Sequence, residues 1–139
     1  MADINTNNVA HPLAKYCNHL KFNGYYIEES ENVLFCFHRK RPSFIVKYVP
    51  NLGISISTFE DLKANIERIR FLEYVNDLNS IFLVMRAYID DSRLMITTFL
   101  EDDYDMTKFS NLLDNIEYDM EVFMEHELTE EYCDQDAVR

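Results

Sequence analysis

Glycine is scarce in this chain of 139 residues, which has it at two positions only, Gly24 and Gly53. A phosphate-binding loop needs several glycines, because its backbone N–H groups must approach the phosphate closely. The composition therefore excludes a glycine-rich nucleotide site. The sequence also lacks a Ser-His-Asp pattern and an H-E-x-x-H motif. We predict no catalytic or cofactor-binding residues, and we expect a protein that is not an enzyme.

Long apolar runs are also lacking, since no stretch approaches the roughly 20 residues that a membrane-spanning helix needs. The first residues, MADINTNNVAHP, have neither the basic nor the apolar part of a signal peptide. Cys17, Cys36 and Cys133 are an odd number of cysteines at unrelated spacings, which is a poor basis for disulfides. Free thiols suit a reducing compartment. We therefore expect a cytoplasmic protein.

Basic residues are few at the C-terminal end. From Glu101 onward there are 14 acidic residues against Lys108 and Arg139, whereas residues 1–100 hold 11 of each sign. Proteins gain affinity for nucleic acids and for anionic membranes from Lys and Arg, so neither is an expected partner. The acidic end has two interpretations: it is a solvated surface that keeps the protein soluble, or it attracts a basic partner.

Apolar residues at helical spacing predict three helices. The first follows Pro12 over residues 13–20 and stops at Asn23-Gly24. The second lies within residues 61–79, which contain no proline or glycine, and the third covers residues 109–124. Runs rich in aromatic and β-branched residues predict strands at 25–28, 33–38, 44–49 and, as a possible fourth strand, 52–57.

A β-hairpin is predicted from strands over residues 82–89 and 93–100, joined by the turn Asp90-Asp91-Ser92. The fold class is therefore α+β: a helix, an antiparallel sheet of three or four strands, a helix, a β-hairpin and a helix. We expect a disordered arm over residues 1–10, a single domain over 11–128 and an acidic, frayed tail over 129–139.

Residues 72–79, LEYVNDLN, and residues 85–91, MRAYIDD, resemble a pattern of the YbjN-like family of small bacterial proteins. In that family a helix with a V-N-x-x-N pattern precedes a strand that ends in an acidic hairpin turn. The element order over roughly residues 13–123 is also similar to the type III secretion chaperone-like fold. The resemblance implies a non-enzymatic protein of the bacterial cytoplasm, often a dimer, that binds other proteins as a chaperone or regulator.

Asn76 and Asn79 of this pattern are three residues apart, so both amides lie on one edge of the predicted helix. Asn79 can adopt the left-handed conformation that ends helices, and Asn76 can bond a carbonyl of a nearby loop or strand. A ligand site that uses both amides is the alternative.

Two clusters contain residue types that bind metal ions. The first holds the only soft ligands that lie near one another in the sequence: Cys17, His19, Cys36 and His38. Their spacings differ from those of zinc sites, and groups two apart on a helix point to different sides. Buried thiols that act as small apolar groups are the preferred interpretation. A thiol nucleophile would need a base and an orienting group, and the sequence assigns neither. We therefore predict no metal ligands here.

The second cluster is the acidic segment Glu101, Asp102, Asp103 and Asp105. It could attract calcium, but it lacks the central glycine and the final glutamate of an EF-hand loop. Carboxylates favour helix N-termini, so we expect this segment to cap the third helix.

Residues 38–41, HRKR, are the one dense basic run and are predicted to be a solvated turn. The alternative is contact with the acidic third helix of a second subunit, which would give a homodimer. The function that we expect is a protein-binding module, chaperone-like or regulatory, whose partner the sequence does not identify. The alternative is an acidic inhibitor or immunity-type protein that blocks a basic enzyme or toxin.

Overall fold

The computed structural model describes residues 11–101 and 103–134, so the predicted arm over 1–10 and the last five residues of the predicted tail lie outside it. The described part contains six strands and four helices. In chain order they are α1 (Ala14–Phe22), β1 (Tyr26–Ser30), β2 (Val33–Phe37), β3 (Phe44–Val49), β4 (Gly53–Asp61), α2 (Arg68–Ile81), β5 (Arg86–Asp90), β6 (Arg93–Glu101), α3 (Met106–Glu125) and α4 (Thr129–Tyr132). None of these helices combines the length and the apolar character that a membrane crossing requires.

The strands form one antiparallel sheet in the order β1-β2-β3-β4-β6-β5. The α+β class is confirmed, but the sheet has six strands where three or four were predicted. The hairpin β5–β6 belongs to the same sheet, and β4 runs on to Asp61, beyond the predicted strand end. Pairing with other strands satisfies backbone groups that the edge of a lone hairpin would leave open.

The described residues fall into two compact units. Unit 1 consists of residues up to 57 together with those of 99–111, and unit 2 consists of residues 58–98 together with those from 112 onward. The elements β4, β6 and α3 contribute residues to both units. The single domain expected over residues 11–128 stays a prediction.

In unit 1, helix α1 packs on β1, on the side that carries Glu29, whose carboxylate accepts from the Cys17 thiol. The buried side of α1 follows the spacing of three and four residues that the sequence shows, with Ala14, Tyr16, Cys17 and Leu20. Successive side chains of a strand point to opposite faces. In β2, Leu34 and Cys36 are accordingly buried, while Phe35 and Phe37 are exposed.

In unit 2, residues 82–85 lie outside the strand that the sequence predicted for 82–89, and β5 begins at Arg86 instead. The reason is Asp119 of α3, whose buried carboxylate accepts hydrogen bonds from the backbone N–H groups of the loop. The donors are Leu83 at 2.8 Å, Val84 at 2.9 Å and Met85 at 2.9 Å. Backbone donors that are held by a side chain are not available to a strand ladder.

Helix α2 begins at Arg68, seven residues after the start of the predicted segment at 61. Glu67 sets this start as the N-cap, because its extended backbone precedes the helix and its carboxylate accepts from the backbone N–H groups of Ile69 and Arg70, at 3.3 and 2.8 Å. The segment before α2 contains Asn65, whose φ of 60° does not fit a right-handed helix.

The segment from Thr129 was expected to be frayed, but it is packed as far as Asp134. Thr129, Tyr132 and Cys133 are buried, and Cys133 forms a β-bridge with Leu62. The Thr129 hydroxyl donates to the carbonyl of Phe123 at 2.7 Å and lies 2.6 Å from the Tyr74 hydroxyl. These buried polar contacts tie α4 to α2 within unit 2.

Candidate functional site

The uncovered face of unit 1 carries large apolar side chains in neighbouring positions. Tyr26 of β1 pairs with Phe37 of β2, and Phe35 pairs with Ile45 of β3. The rings of Tyr26 and Phe37 are 6.2 Å apart. Tyr26 is 65% exposed, Phe37 45% and Phe35 36%. We call Tyr26, Phe35, Phe37 and Ile45 the aromatic face.

A turn with three basic residues, Arg39, Lys40 and Arg41, follows directly after the aromatic face, and we call it the basic turn. His38 shapes it: the imidazole Nδ1 accepts from the backbone N–H groups of Lys40 and Arg41, both at 3.0 Å. The imidazole Nε2 therefore carries the hydrogen and donates to the Asn23 carbonyl at 3.2 Å. Arg39 and Lys40 are exposed and follow Phe37 in the chain by two and three residues.

A second feature of unit 1 is a cavity of about 460 Å³ beside α1, lined in part by Lys15, His19, Phe22, Tyr104, Met106 and Ser110. We call it the α1 pocket. His19 Nδ1 lies 2.8 Å from the Tyr104 hydroxyl and Nε2 lies 3.2 Å from the Ser110 hydroxyl. The sequence pattern indicated His19 only as a candidate metal ligand. It had no signal for this cluster, because its partners lie 85 and 91 positions away.

The four soft ligands of unit 1 are engaged in separate contacts. The Cys17 thiol donates to Glu29 at 3.4 Å, and the Cys36 thiol donates to the Leu34 carbonyl at 3.6 Å. His19 and His38 have the partners already given. Within residues 11–101 and 103–134, no group of three or more His, Cys, Asp and Glu side chains is placed to hold a metal ion. The expectation of no metal site stays a prediction.

All three cysteines are buried, and burial is the main cause of their raised pKa values. The pKa of Cys17 rises to about 11, and those of Cys36 and Cys133 rise to about 12. For Cys133, the charge of Glu60 raises the pKa further. Because the thiolate is the reactive form, these side chains have the properties of packing groups, and none has the lowered pKa of a nucleophile.

We therefore expect all three thiols of the folded protein to react with a thiol-specific disulfide reagent at pH 8 at least about 100-fold more slowly than those of the urea-unfolded chain. Both the low thiolate fraction and the lack of access slow the reaction. The absorbance of the released thiol gives both rates. One thiol that reacts in the folded protein as fast as in the unfolded chain would contradict this expectation.

The acidic segment before α3 caps that helix, as the sequence predicted. The Asp105 carboxylate accepts from the backbone N–H of Lys108 at 2.9 Å. This contact satisfies a donor at the start of the helix that has no partner within it. Asp103 is also exposed in this segment, while Asp102 lies outside the described residues.

Comparison with solved structures identifies the architecture. The chain superposes on YbjN from E. coli, a candidate transcription regulator, with a TM-score of 0.63 and 14% sequence identity. The match covers 81% of this chain and 87% of that one. The chain has a YbjN-like fold. No protein-family model and no curated protein sequence matches it.

The YbjN-like fold confirms the family resemblance as a statement about fold, and the residues that supported it can now be placed. Asn79 pairs with the backbone of β5 through both ends of its amide: it donates to the Ala87 carbonyl at 3.0 Å and accepts from the Ala87 N–H at 2.7 Å. The structural role of Asn79 is therefore confirmed, but the prediction that it ends the helix in a left-handed conformation was wrong. Asn79 bonds the strand, as was expected of Asn76, and it is not among the residues with positive φ.

Asn76 is exposed on α2 and lines a shallow cavity of about 500 Å³ with Ile69, Leu72, Glu73 and Asp77. The turn of the YbjN-like hairpin consists of Asp91 and Ser92, with Asp90 paired to Arg93 at the strand ends. Asp91 has a φ of 55°, which aspartate tolerates better than most residues.

Proposed function

We propose that this chain is a non-enzymatic, protein-binding module, chaperone-like or regulatory, that acts in the bacterial cytoplasm. The aromatic face is its docking surface, and the partner is a protein segment that combines apolar side chains with acidic groups. The observation that carries the proposal is the row of exposed rings, Tyr26, Phe35 and Phe37, on a sheet face that α1 leaves uncovered. Aromatic side chains are enriched at the centres of protein interfaces.

The charge around the aromatic face favours an acidic partner. Arg39 and Lys40 are exposed in the turn that follows Phe37 in the chain, and Lys47 is exposed on β3 opposite Val33. Glu28, which pairs with Phe35, is an acidic side chain on this face, whereas Glu29 pairs with Leu34 and lies on the opposite face. Complementary charges at the rim accelerate association and set its orientation, while the buried rings supply most of the affinity. Nucleic acid and anionic membranes are disfavoured by the net charge of the whole chain, −12.

The experiment compares two surface variants as baits in a pull-down from lysate of the source bacterium. In the first, Phe35→Thr/Phe37→Thr removes two rings and keeps residues that favour strands. In the second, Arg39→Glu/Lys40→Glu reverses the charge of the basic turn. We expect a partner that the wild type retains, that the ring variant binds roughly 100-fold more weakly, and that the charge variant binds roughly tenfold more weakly.

The matched control is Tyr118→Thr, which removes a ring that is 50% exposed on the acidic helix α3. Affinities of the purified partner for all four proteins, measured by calorimetry at low and high salt, decide the question. The proposal fails if the ring variant binds the partner as tightly as the wild type. It also fails if the pull-down yields no protein that the wild type retains more strongly than the ring variant.

The alternative function, an acidic inhibitor or immunity-type protein, is favoured by the surface of α3. Tyr118 and Met124 are exposed there at 50% and 45%, among the exposed acidic residues Asp114, Glu121 and Glu125. A basic enzyme or toxin would then lose affinity for Tyr118→Thr and keep it for Phe35→Thr/Phe37→Thr. The same helix in a second copy could contact the basic turn, and a salt-sensitive dimer mass in light scattering would indicate that homodimer.

A further inference from the structure

The α1 pocket in unit 1 has the size and composition of a small-molecule site. Its volume of about 460 Å³ falls within the range of roughly 300–1,000 Å³ that ligand sites occupy in proteins. Such sites are mainly apolar and hold a few polar groups that fix the orientation of the ligand. The α1 pocket has both parts: an apolar rim and a polar cluster.

The apolar rim consists of Phe22 and Met106, which are unusually exposed. Phe22 is 91% exposed at the end of α1, and Met106 is 66% exposed at the start of α3. A phenylalanine side chain that is almost wholly in water contributes little to the stability of the fold, because it buries little apolar area. Both side chains line the same cavity, where a ring and a thioether can hold a flat apolar ligand between them.

The polar part is a fixed cluster. The His19 imidazole is held from both sides by Tyr104 and Ser110, at 2.8 and 3.2 Å, and its ring packs at 4.9 Å on Phe109. Burial lowers the pKa of His19 below its ordinary value, so the imidazole is neutral at pH 7. Burial, together with the charge of Asp105, raises the pKa of Tyr104, so the phenol is neutral as well.

Among the described residues that line the α1 pocket, Lys15 is therefore the one ionised side chain. The nearby carboxylates of Asp103 and Asp105 line a different cavity of unit 1, together with Lys108. An anionic group on a ligand would pair with the Lys15 ammonium, and Ser110 can add a hydrogen bond.

We propose that the α1 pocket is a binding site for a small aromatic carboxylate. The ring of the ligand lies against Phe22 and Met106, and its carboxylate faces Lys15 and the Ser110 hydroxyl. This site is independent of the aromatic face, so a chain that fails to bind a protein partner can still bind the carboxylate.

The test uses 2-naphthoate as the probe and calorimetry of the full chain at pH 7 as the measurement. We expect 2-naphthoate to bind at least about tenfold more tightly than 2-naphthamide, its uncharged analogue of the same shape. Lys15→Glu and Phe22→Ser should each lower the affinity for 2-naphthoate at least about tenfold. Both side chains are exposed, and circular dichroism establishes that the variants are folded.

Two controls separate this site from other surfaces. Lys21→Glu changes a second exposed lysine of α1 that does not line the pocket, and Phe37→Thr changes the aromatic face. Both should bind 2-naphthoate like the wild type. Any of four results would overturn the proposal. They are equal affinity for 2-naphthoate and 2-naphthamide, unchanged binding in Lys15→Glu and Phe22→Ser, a loss of binding in Phe37→Thr instead, and no binding at millimolar 2-naphthoate.

Discussion

Asp119→Asn is expected to lower the free energy of unfolding by about 3–5 kcal/mol, because it disrupts a buried carboxylate that accepts from three consecutive backbone N–H groups. An asparagine in the same place has one oxygen and one NH₂ group. The NH₂ group would face at least one of the Leu83, Val84 and Met85 N–H groups, so that two donors would oppose each other at a buried side chain.

This loss is a large part of the roughly 5–15 kcal/mol by which a domain is stable, and we expect the melting temperature to fall by about 10 °C or more. Calorimetry or circular dichroism measures it. The matched control is Glu121→Gln, which neutralises an exposed carboxylate two residues away on the same helix and should change the melting temperature by less than about 2 °C. Similar melting temperatures for the two variants would show that Asp119 does not hold the loop over 82–85.

Gly53→Ala is the second substitution with a large expected effect, about 3 kcal/mol or more. Gly53 begins β4 with a φ of +152°, which is a conformation that side chains rarely adopt. A Cβ atom there would overlap the carbonyl oxygen of Leu100, and it would lie 3.0 Å from the Leu100 carbonyl carbon and 3.1 Å from the Cα of Glu101. All of these atoms belong to the backbone, so no side-chain rotation can relieve the overlap.

The comparison for Gly53→Ala is Gly24→Ala, which tests positive φ without a backbone overlap. Gly24 has a φ of +90°, and a Cβ atom there would meet the His38 side chain at 3.2 Å. We expect Gly24→Ala to cost about 1–2 kcal/mol, clearly less than Gly53→Ala. Urea unfolding measures both. Equal costs would mean that conformational strain alone, and no close approach of β4 to Leu100, explains the glycine at position 53.

The helices and strands whose pattern lies in neighbouring residues of the sequence were predicted well. The periodicity of α1 and α3 and the alternation at the start of β4 are visible in the chain, because each of these elements presents one regular face to the core. The strand expected over residues 82–89 was wrong at its start for a different reason. Its first residues have strand composition, but a carboxylate about 35 positions later takes their backbone donors.

The candidate sites show the same difference between features that the local sequence indicates and contacts that form only on folding. Asn79 was singled out from a short sequence pattern, and that pattern indicated a structural amide, but not that its partner is the backbone of Ala87. The cluster of His19, Tyr104 and Ser110 had no sequence signal, because residues that lie so far apart in the chain meet only after folding.

The sequence by itself determined the α+β composition, the separation of acidic residues toward the C-terminal end and the apolar character of both sides of β2. It could not determine which side of β2 is buried, because alternation distinguishes two faces but does not say what covers either. Tertiary packing decided this, since Leu34 and Cys36 are buried while Phe35 and Phe37 lie in solvent. The aromatic face therefore arises from long-range packing, which local pattern does not encode.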